Sequence, residues 1–185
     1  MEYAVGVVPV AVLVSRLTDE PRSVLSRLRG GQAEGGMARV RILIADEQSL
    51  FREAVRVVLE AESDLDVVGE ARDGIQAVSE AERARPDVAL LDAGLPNCDG
   101  LRATSLIKER VPECQVLVLS GEEDHRILVE ALEAGASGYL TKECPLSELI
   151  DATRAIHRGE TLVPPRMLGT LLSRQIGRAS CRERV

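Results

Sequence analysis

At 185 residues, with 45% hydrophobic and 29% charged side chains, the chain has room for one ordinary soluble domain with a real core. Aromatics make up only 2%, so that core must be aliphatic, and a stacking platform for single-stranded nucleic acid is disfavoured. A net charge of -7 argues against nucleic acid or an anionic membrane as a partner of the whole chain. Four Arg balance four acids in residues 1–38, and three Arg against one Glu leave residues 176–185 at +2, so the stretch between holds -9 and suits a cation or a basic protein partner. Cys98, Cys114, Cys144 and Cys181 are widely spaced with no CxxC pair, which is neither a zinc signature nor a disulfide framework. A reducing cytoplasm is the simplest setting.

The most apolar stretch, Ala4 to Val14, is too short to span a bilayer and contains Gly6 and Pro9, and Glu2 stands where a signal peptide wants positive charge. A short helix is expected over Glu20–Arg29, and Gly30–Gly36 reads as a linker. Met37 is a natural start for a domain that opens on a strand, so residues 1–38 are expected to be an over-called, disordered extension without assigned function.

From Val40 onward, strand-like and helix-like segments alternate. Val40–Ala45 is a β-branched run, followed by Leu50, Ala54, Val57, Val58 and Ala61 at helical spacing. Asp66–Glu70 reads as a second strand, and Gly74 to about Ala84 as a helix with Ile75, Val78 and Ala81 on one face. Val88–Leu91 is the third strand, with a helix over Leu101–Arg110 that Pro112 stops. Val116–Leu119 is the fourth, with a helix from Asp124 to Ala134 ending at Gly135. Gly138–Leu140 is a short fifth strand, and Leu146, Leu149, Ile150, Thr153 and Ile156 mark a last helix closed by Gly159. Five β/α units in a row call for a parallel sheet covered on both faces, a doubly wound three-layer α/β fold. Function is then expected at the carboxyl ends of the strands.

Those ends carry Asp46 and Glu47, Asp92, Ser120, and Thr141 with Lys142. Taken singly, each has an ordinary reading: the acids as caps or turn formers, Ser120 as a turn residue, Lys142 as a solvated charge. Together, on one edge of a sheet, they form a constellation. Clustered carboxylates repel, and a hard cation such as Mg²⁺, which favours oxygen ligands and keeps several waters, relieves that repulsion. A lysine and a hydroxyl beside the same carboxylate would match the oxygens of a phosphoryl group attached to it. Asp92 is then the nucleophile and the metal its charge neutraliser.

The stretches Ile42–Glu47, Pro86–Asp92 with Pro96 and Gly100 downstream, Val116–Gly121 and Ala134–Lys142 resemble the receiver domain of a bacterial two-component response regulator, over residues 39–158. The resemblance implies a CheY-like, flavodoxin-like (βα)5 fold with strand order 2-1-3-4-5. It also implies a phosphoryl group accepted on Asp92 from a sensor histidine kinase, with Mg²⁺ held by Asp46, Asp92 and the Gly94 carbonyl, and Glu47 nearby or acting through water. Ser120 would bond the phosphoryl oxygen and Lys142 would pair with it. In the family the Ser or Thr moves toward the phosphoryl group and an aromatic, here Tyr139, turns inward, a charge change biasing a two-state element; ordinary edge packing of Tyr139 is the alternative. Such a protein is a phosphoacceptor that assists its own phosphorylation and dephosphorylation, not an enzyme acting on other molecules. Glu47 stands where a second Asp is commoner, and Ala93, Gly94 and Leu95 depart from the bulkier residues often found there, which bears on phosphorylation lifetime.

Residues 159–175, with Thr161, Leu162, Val163, Pro164, Pro165, Met167, Leu168, Leu171 and Leu172, resemble the linker that joins a LuxR/NarL-type receiver to its helix-turn-helix. That DNA-binding output domain is expected to be missing, since too few residues follow. Ile176–Val185 resembles a translated sequencing adapter and is expected to be foreign; a basic tail touching DNA phosphates is the alternative, with few contacts to offer. Transcription control therefore belongs to a longer protein on this reading, and homodimer formation on phosphorylation fits it. A stand-alone receiver acting by protein contacts is the second reading. A phosphatase of the haloacid dehalogenase type is the third, weakened because Gly94 replaces the acid that family needs two residues past its nucleophile.

Overall fold

Continuous apolar runs set the strands of the computed structural model, which describes residues 39–164 and Met167. The helix expected over Glu20–Arg29, the Gly-rich tract, Leu168, Leu171, Leu172 and the final ten residues lie outside the described residues. The strands are β1 (Val40–Ala45), β2 (Leu65–Ala71), β3 (Val88–Asp92), β4 (Gln115–Ser120) and β5 (Gly138–Thr141). They form one sheet in the order β2-β1-β3-β4-β5, every pair parallel. Between them run α1 (Ser49–Glu60), α2 (Gly74–Ala84), α3 (Gly100–Arg110) and α4 (His125–Glu133), with α5 (Leu146–His157) after β5. This is the doubly wound CheY-like architecture, and its order reverses between β1 and β3, the switch point where such sheets place their sites.

Strand residues alternate between two aliphatic layers. Leu43, Ala89, Leu91, Val116 and Val118 pack under α2, α3 and α4 with Ala77, Ala81, Ile107 and Leu128. Ile42, Ile44, Val88, Leu90 and Leu117 pack under α1 and α5 with Val55, Leu59, Leu149 and Ile156. Central strands buried on both faces read as unbroken apolar runs for this reason. A bulge on β2 between its pairings with Ile42 and Leu43 skips Val68.

The helix starts follow capping chemistry: Asp73, Asp99 and Asp124 each accept a bond from a backbone N–H in the first turn of α2, α3 and α4. Two expected apolar faces are corrected. Leu50 and Val57 are 82% and 54% exposed, and Ala54 and Ala61 are exposed too, because α1 turns its other stripe, Val55 and Leu59, to the sheet. Ile75 is likewise exposed in the first turn of α2, whose buried face is Ala77, Val78, Ala81 and Ala84.

Candidate functional site

Four of the five strands hand a polar group to one edge of the sheet; β2, which ends at Ala71, does not. Asp46 follows β1 directly and is 1% exposed; Asp92 closes β3 at 7% and Ser120 closes β4 at 4%. Lys142 follows β5, and its backbone N–H donates to the Ser120 carbonyl at 2.8 Å, continuing the ladder one step past the strand. Burying three such groups is costly unless they satisfy one another.

The two acids are arranged alike. Asp46 Oδ1 accepts from the Gln48 N–H at 2.8 Å, and Asp92 Oδ1 accepts from the Gly94 N–H at 3.3 Å, so each carboxylate is held by its own loop. Their other oxygens face the Lys142 ammonium, with Nζ 2.6 Å from Asp46 Oδ2 and 3.1 Å from Asp92 Oδ2. The closer approach has the distance of an ion pair but not the alignment of a hydrogen bond, and Asp46 Oδ2 is left buried with no hydrogen-bond donor. Burial pulls the Lys142 ammonium down, but the two carboxylates outweigh it and hold the group above the ordinary lysine value. Neither acid is a helix cap; Asp99 takes that task for α3.

Two glycines follow β3, and only one of them is required by a close approach to Asp92. A Cβ on Gly100 would collide with the Asp92 carbonyl, so only glycine fits there. At Gly94 a Cβ would lie 3.8 and 3.9 Å from the Asp92 carboxylate oxygens, an ordinary contact.

Tyr139 lies fully inside, and its hydroxyl donates to the Glu122 carbonyl at 2.7 Å and accepts from the Asp124 N–H at 3.4 Å. Ser120 Oγ accepts from the Glu122 N–H at 3.4 Å. Both residues named for the switch thus grip the loop between β4 and α4.

A family model for the response regulator receiver domain matches residues 42–154. The chain belongs to that family. Among relatives, the transcriptional regulatory protein LnrK of Bacillus subtilis is 34% identical over 134 residues, 72% of this chain and 61% of its own. DegU of Brevibacillus brevis, also a transcriptional regulatory protein, is 37% identical over 134 residues, 72% of this chain and 57% of its own. The solved receiver domain of the response regulator NarL from Mycobacterium tuberculosis is 33% identical with a TM-score of 0.65, covering 66% of this chain and 99% of that one. A LuxR-family two-component response regulator from Aurantimonas is 29% identical with a TM-score of 0.69, covering 75% of this chain and 99% of that one. The chain spans about three fifths of the length of the relatives LnrK and DegU.

In this receiver the three acids are not gathered into one set. Glu47 is exposed, and no group of three His, Cys, Asp or Glu side chains able to hold a metal occurs among the described residues. Asp46 and Asp92 still suit Mg²⁺, which commonly takes one or two carboxylates and fills its remaining positions with water or phosphate, and the donorless Asp46 oxygen is the observation that fits. Two residues escaped the reading of the sequence. Phe51 lays its ring 5.0 Å from the Lys142 ammonium, a cation–π contact. Arg52 donates to the Asp46 carbonyl at 2.7 Å and the Glu47 carbonyl at 3.3 Å and pairs with Glu70 at 3.4 Å, bracing the acidic loop. The signal was available: Phe51 is the single Phe of an aromatic-poor chain, one helical turn past the acids.

No helix among the described residues is long and apolar enough to cross a membrane.

Proposed function

We propose that Asp92 accepts a phosphoryl group from a phosphohistidine of a sensor histidine kinase, in the cytoplasm. An Asp92 carboxylate oxygen forms the new bond to phosphorus as the bond to the histidine nitrogen breaks, and the imidazole leaves with the electron pair and takes up a proton. The observation that carries this reading is the ammonium of Lys142 set against both buried carboxylates. A cation already poised beside the acceptor can follow the charge onto an incoming phosphoryl oxygen without reorganisation. Bound Mg²⁺ would neutralise charge between the carboxylates and the phosphoryl oxygens, and Asp46, Asp92 and the Gly94 carbonyl would hold it, with Glu47 at the rim.

Ser120, buried at the end of β4, is the hydroxyl proposed to bond a phosphoryl oxygen, and Tyr139 the residue that reports its movement along the β4–α4 loop. The receiver is thus a phosphoacceptor that assists its own phosphorylation and dephosphorylation. The names of the relatives LnrK and DegU support transcription control, exerted on DNA by a further domain of a longer protein, with dimer formation on phosphorylation.

Incubation with labelled acetyl phosphate and Mg²⁺ tests the assignment. The wild-type chain is expected to take up label that Asp92→Asn does not, and equal labelling of both would overturn it.

A further inference from the structure

Beside the strand ends, the first turn of α1 also reaches the site. No side chain caps the helix at Gln48, so the turn is placed by other means. Arg52 ties it to the loop after β1 through the Asp46 and Glu47 carbonyls, and Glu70 near the end of β2 holds the guanidinium in turn. The neighbouring Phe51 is half-buried and packs against the layer under α1 and α5. Its ring is thereby fixed with the Lys142 ammonium 5.0 Å from its centroid. A ring face is electron-rich, and its attraction for a cation grows as water is excluded. The Lys142 side chain is only 14% exposed, so little water competes.

The other two partners of that ammonium are carboxylates whose charge the proposed reaction changes. Lys142 Nζ faces Asp46 Oδ2 at 2.6 Å and Asp92 Oδ2 at 3.1 Å. Placing a phosphoryl group on an Asp92 oxygen, or sharing Asp46 with Mg²⁺, weakens one or the other pull on a flexible four-carbon side chain. The attraction of the ring depends on neither carboxylate. We propose that Phe51 is a positioning residue for the transfer: its ring face keeps the Lys142 ammonium at the edge where the phosphoryl group arrives, and does so through its π electrons, which an aliphatic side chain lacks. The role of the ammonium rests on the phosphoacceptor reading of Asp92; the hold of the ring on Lys142 does not. Ordering a group in advance lowers the cost of binding, so the hold is read in affinity as well as in mobility.

The sequence makes the test selective, since Phe51 is the single phenylalanine and Lys108 and Lys142 are the two lysines. Producing the full chain with phenylalanine that carries one, two or three ring fluorines alters Phe51 alone and drains its ring face stepwise at nearly constant shape, while Phe51→Leu removes the ring. Isotope-labelled lysine then gives two side-chain signals, and NMR relaxation of the Lys142 signal reads its mobility without any ligand. Mobility is expected to rise from wild type through the fluorinated chains to Phe51→Leu. Binding of beryllofluoride, a phosphoryl stand-in, with Mg²⁺ is expected to weaken in the same order, by about fivefold in Phe51→Leu. Fluorinated chains as ordered as wild type would overturn the proposal even with Phe51→Leu impaired, because that pattern belongs to packing volume. Equal beryllofluoride affinity across the series would overturn it too. A wild type that binds no beryllofluoride would instead count against Asp92 as acceptor, and the ligand-free mobilities would still decide the hold of the ring.

Discussion

The Lys142 ammonium lies 2.6 Å from an Asp46 oxygen that has no hydrogen-bond donor, so one cation balances the carboxylate oxygen that the loop N–H of Gln48 does not reach. Removing it leaves Asp46 and Asp92 with one loop N–H each and no opposite charge between them. Lys142→Met is expected to destabilise the receiver by about 3 kcal/mol, the usual scale for breaking a buried pair from one side. Millimolar Mg²⁺ should recover part of the loss, giving a larger rise in melting temperature for the variant than for the wild type. Equal Mg²⁺ responses in thermal melts would show that the carboxylates do not share a cation position.

Gly100 and Gly94 both lie near Asp92 but differ in what a methyl group would meet. Gly100→Ala pushes a Cβ into the Asp92 backbone and is expected to cost about 3 kcal/mol, or to displace the loop after β3. Gly94→Ala meets only ordinary contacts and should stay within about 0.5 kcal/mol. Urea unfolding of the two variants, side by side, checks the contrast.

Arg154 on α5 reaches across to the loop between α1 and β2, 2.7 Å from both Glu62 and Asp64. Its hydrogen bond holds the Asp64 carboxyl below the usual range, so the stabilisation is present above the ordinary aspartate value and lost as pH falls through the depressed one. Arg154→Ala is expected to cost about 1 kcal/mol near neutral pH, because the groups are partly solvated. The difference from wild type should shrink at acid pH, and melts from pH 7 downward to roughly pH 2 would reveal it.

The two stripes of α1 make opposite predictions. Leu59 is fully buried, and Leu59→Ala should cost about 3 kcal/mol. Leu50 stands 82% exposed, and Leu50→Gln should change stability by less than about 0.5 kcal/mol. Denaturant midpoints would expose a wrong assignment of the buried face.

Much of the sheet was legible because strands buried on both faces need unbroken apolar runs, and β1, β3 and β4 have them, each giving way at its carboxyl end to a buried polar residue. The polar edge was legible for the same reason: Asp46, Asp92 and Ser120 mark the places where the sheet meets a loop. Helix α1 was harder. Apolar residues at 50, 51, 54, 55, 57, 58, 59 and 61 cover most of its circumference, so spacing alone yields two stripes, and only the position of the sheet selects Val55 and Leu59. The bridge between Leu162 and Gly138 of β5 has no periodic signature, since one residue pairing with an edge strand leaves no pattern, and Pro164-Pro165 beside it reads as linker. Phe51 and Arg52 act through a ring face and a guanidinium reaching back to loop carbonyls, neither of which a strand-end survey looks for.

The hydroxyl of Tyr139, lodged beside the Glu122 carbonyl, also gives the receiver a native optical probe. The chain has two tyrosines and no tryptophan, so nothing stronger masks the near-ultraviolet band of a buried phenol. A change in the grip on the β4–α4 loop would alter the asymmetric surroundings of that ring, and circular dichroism near the tyrosine absorption would follow it without a label.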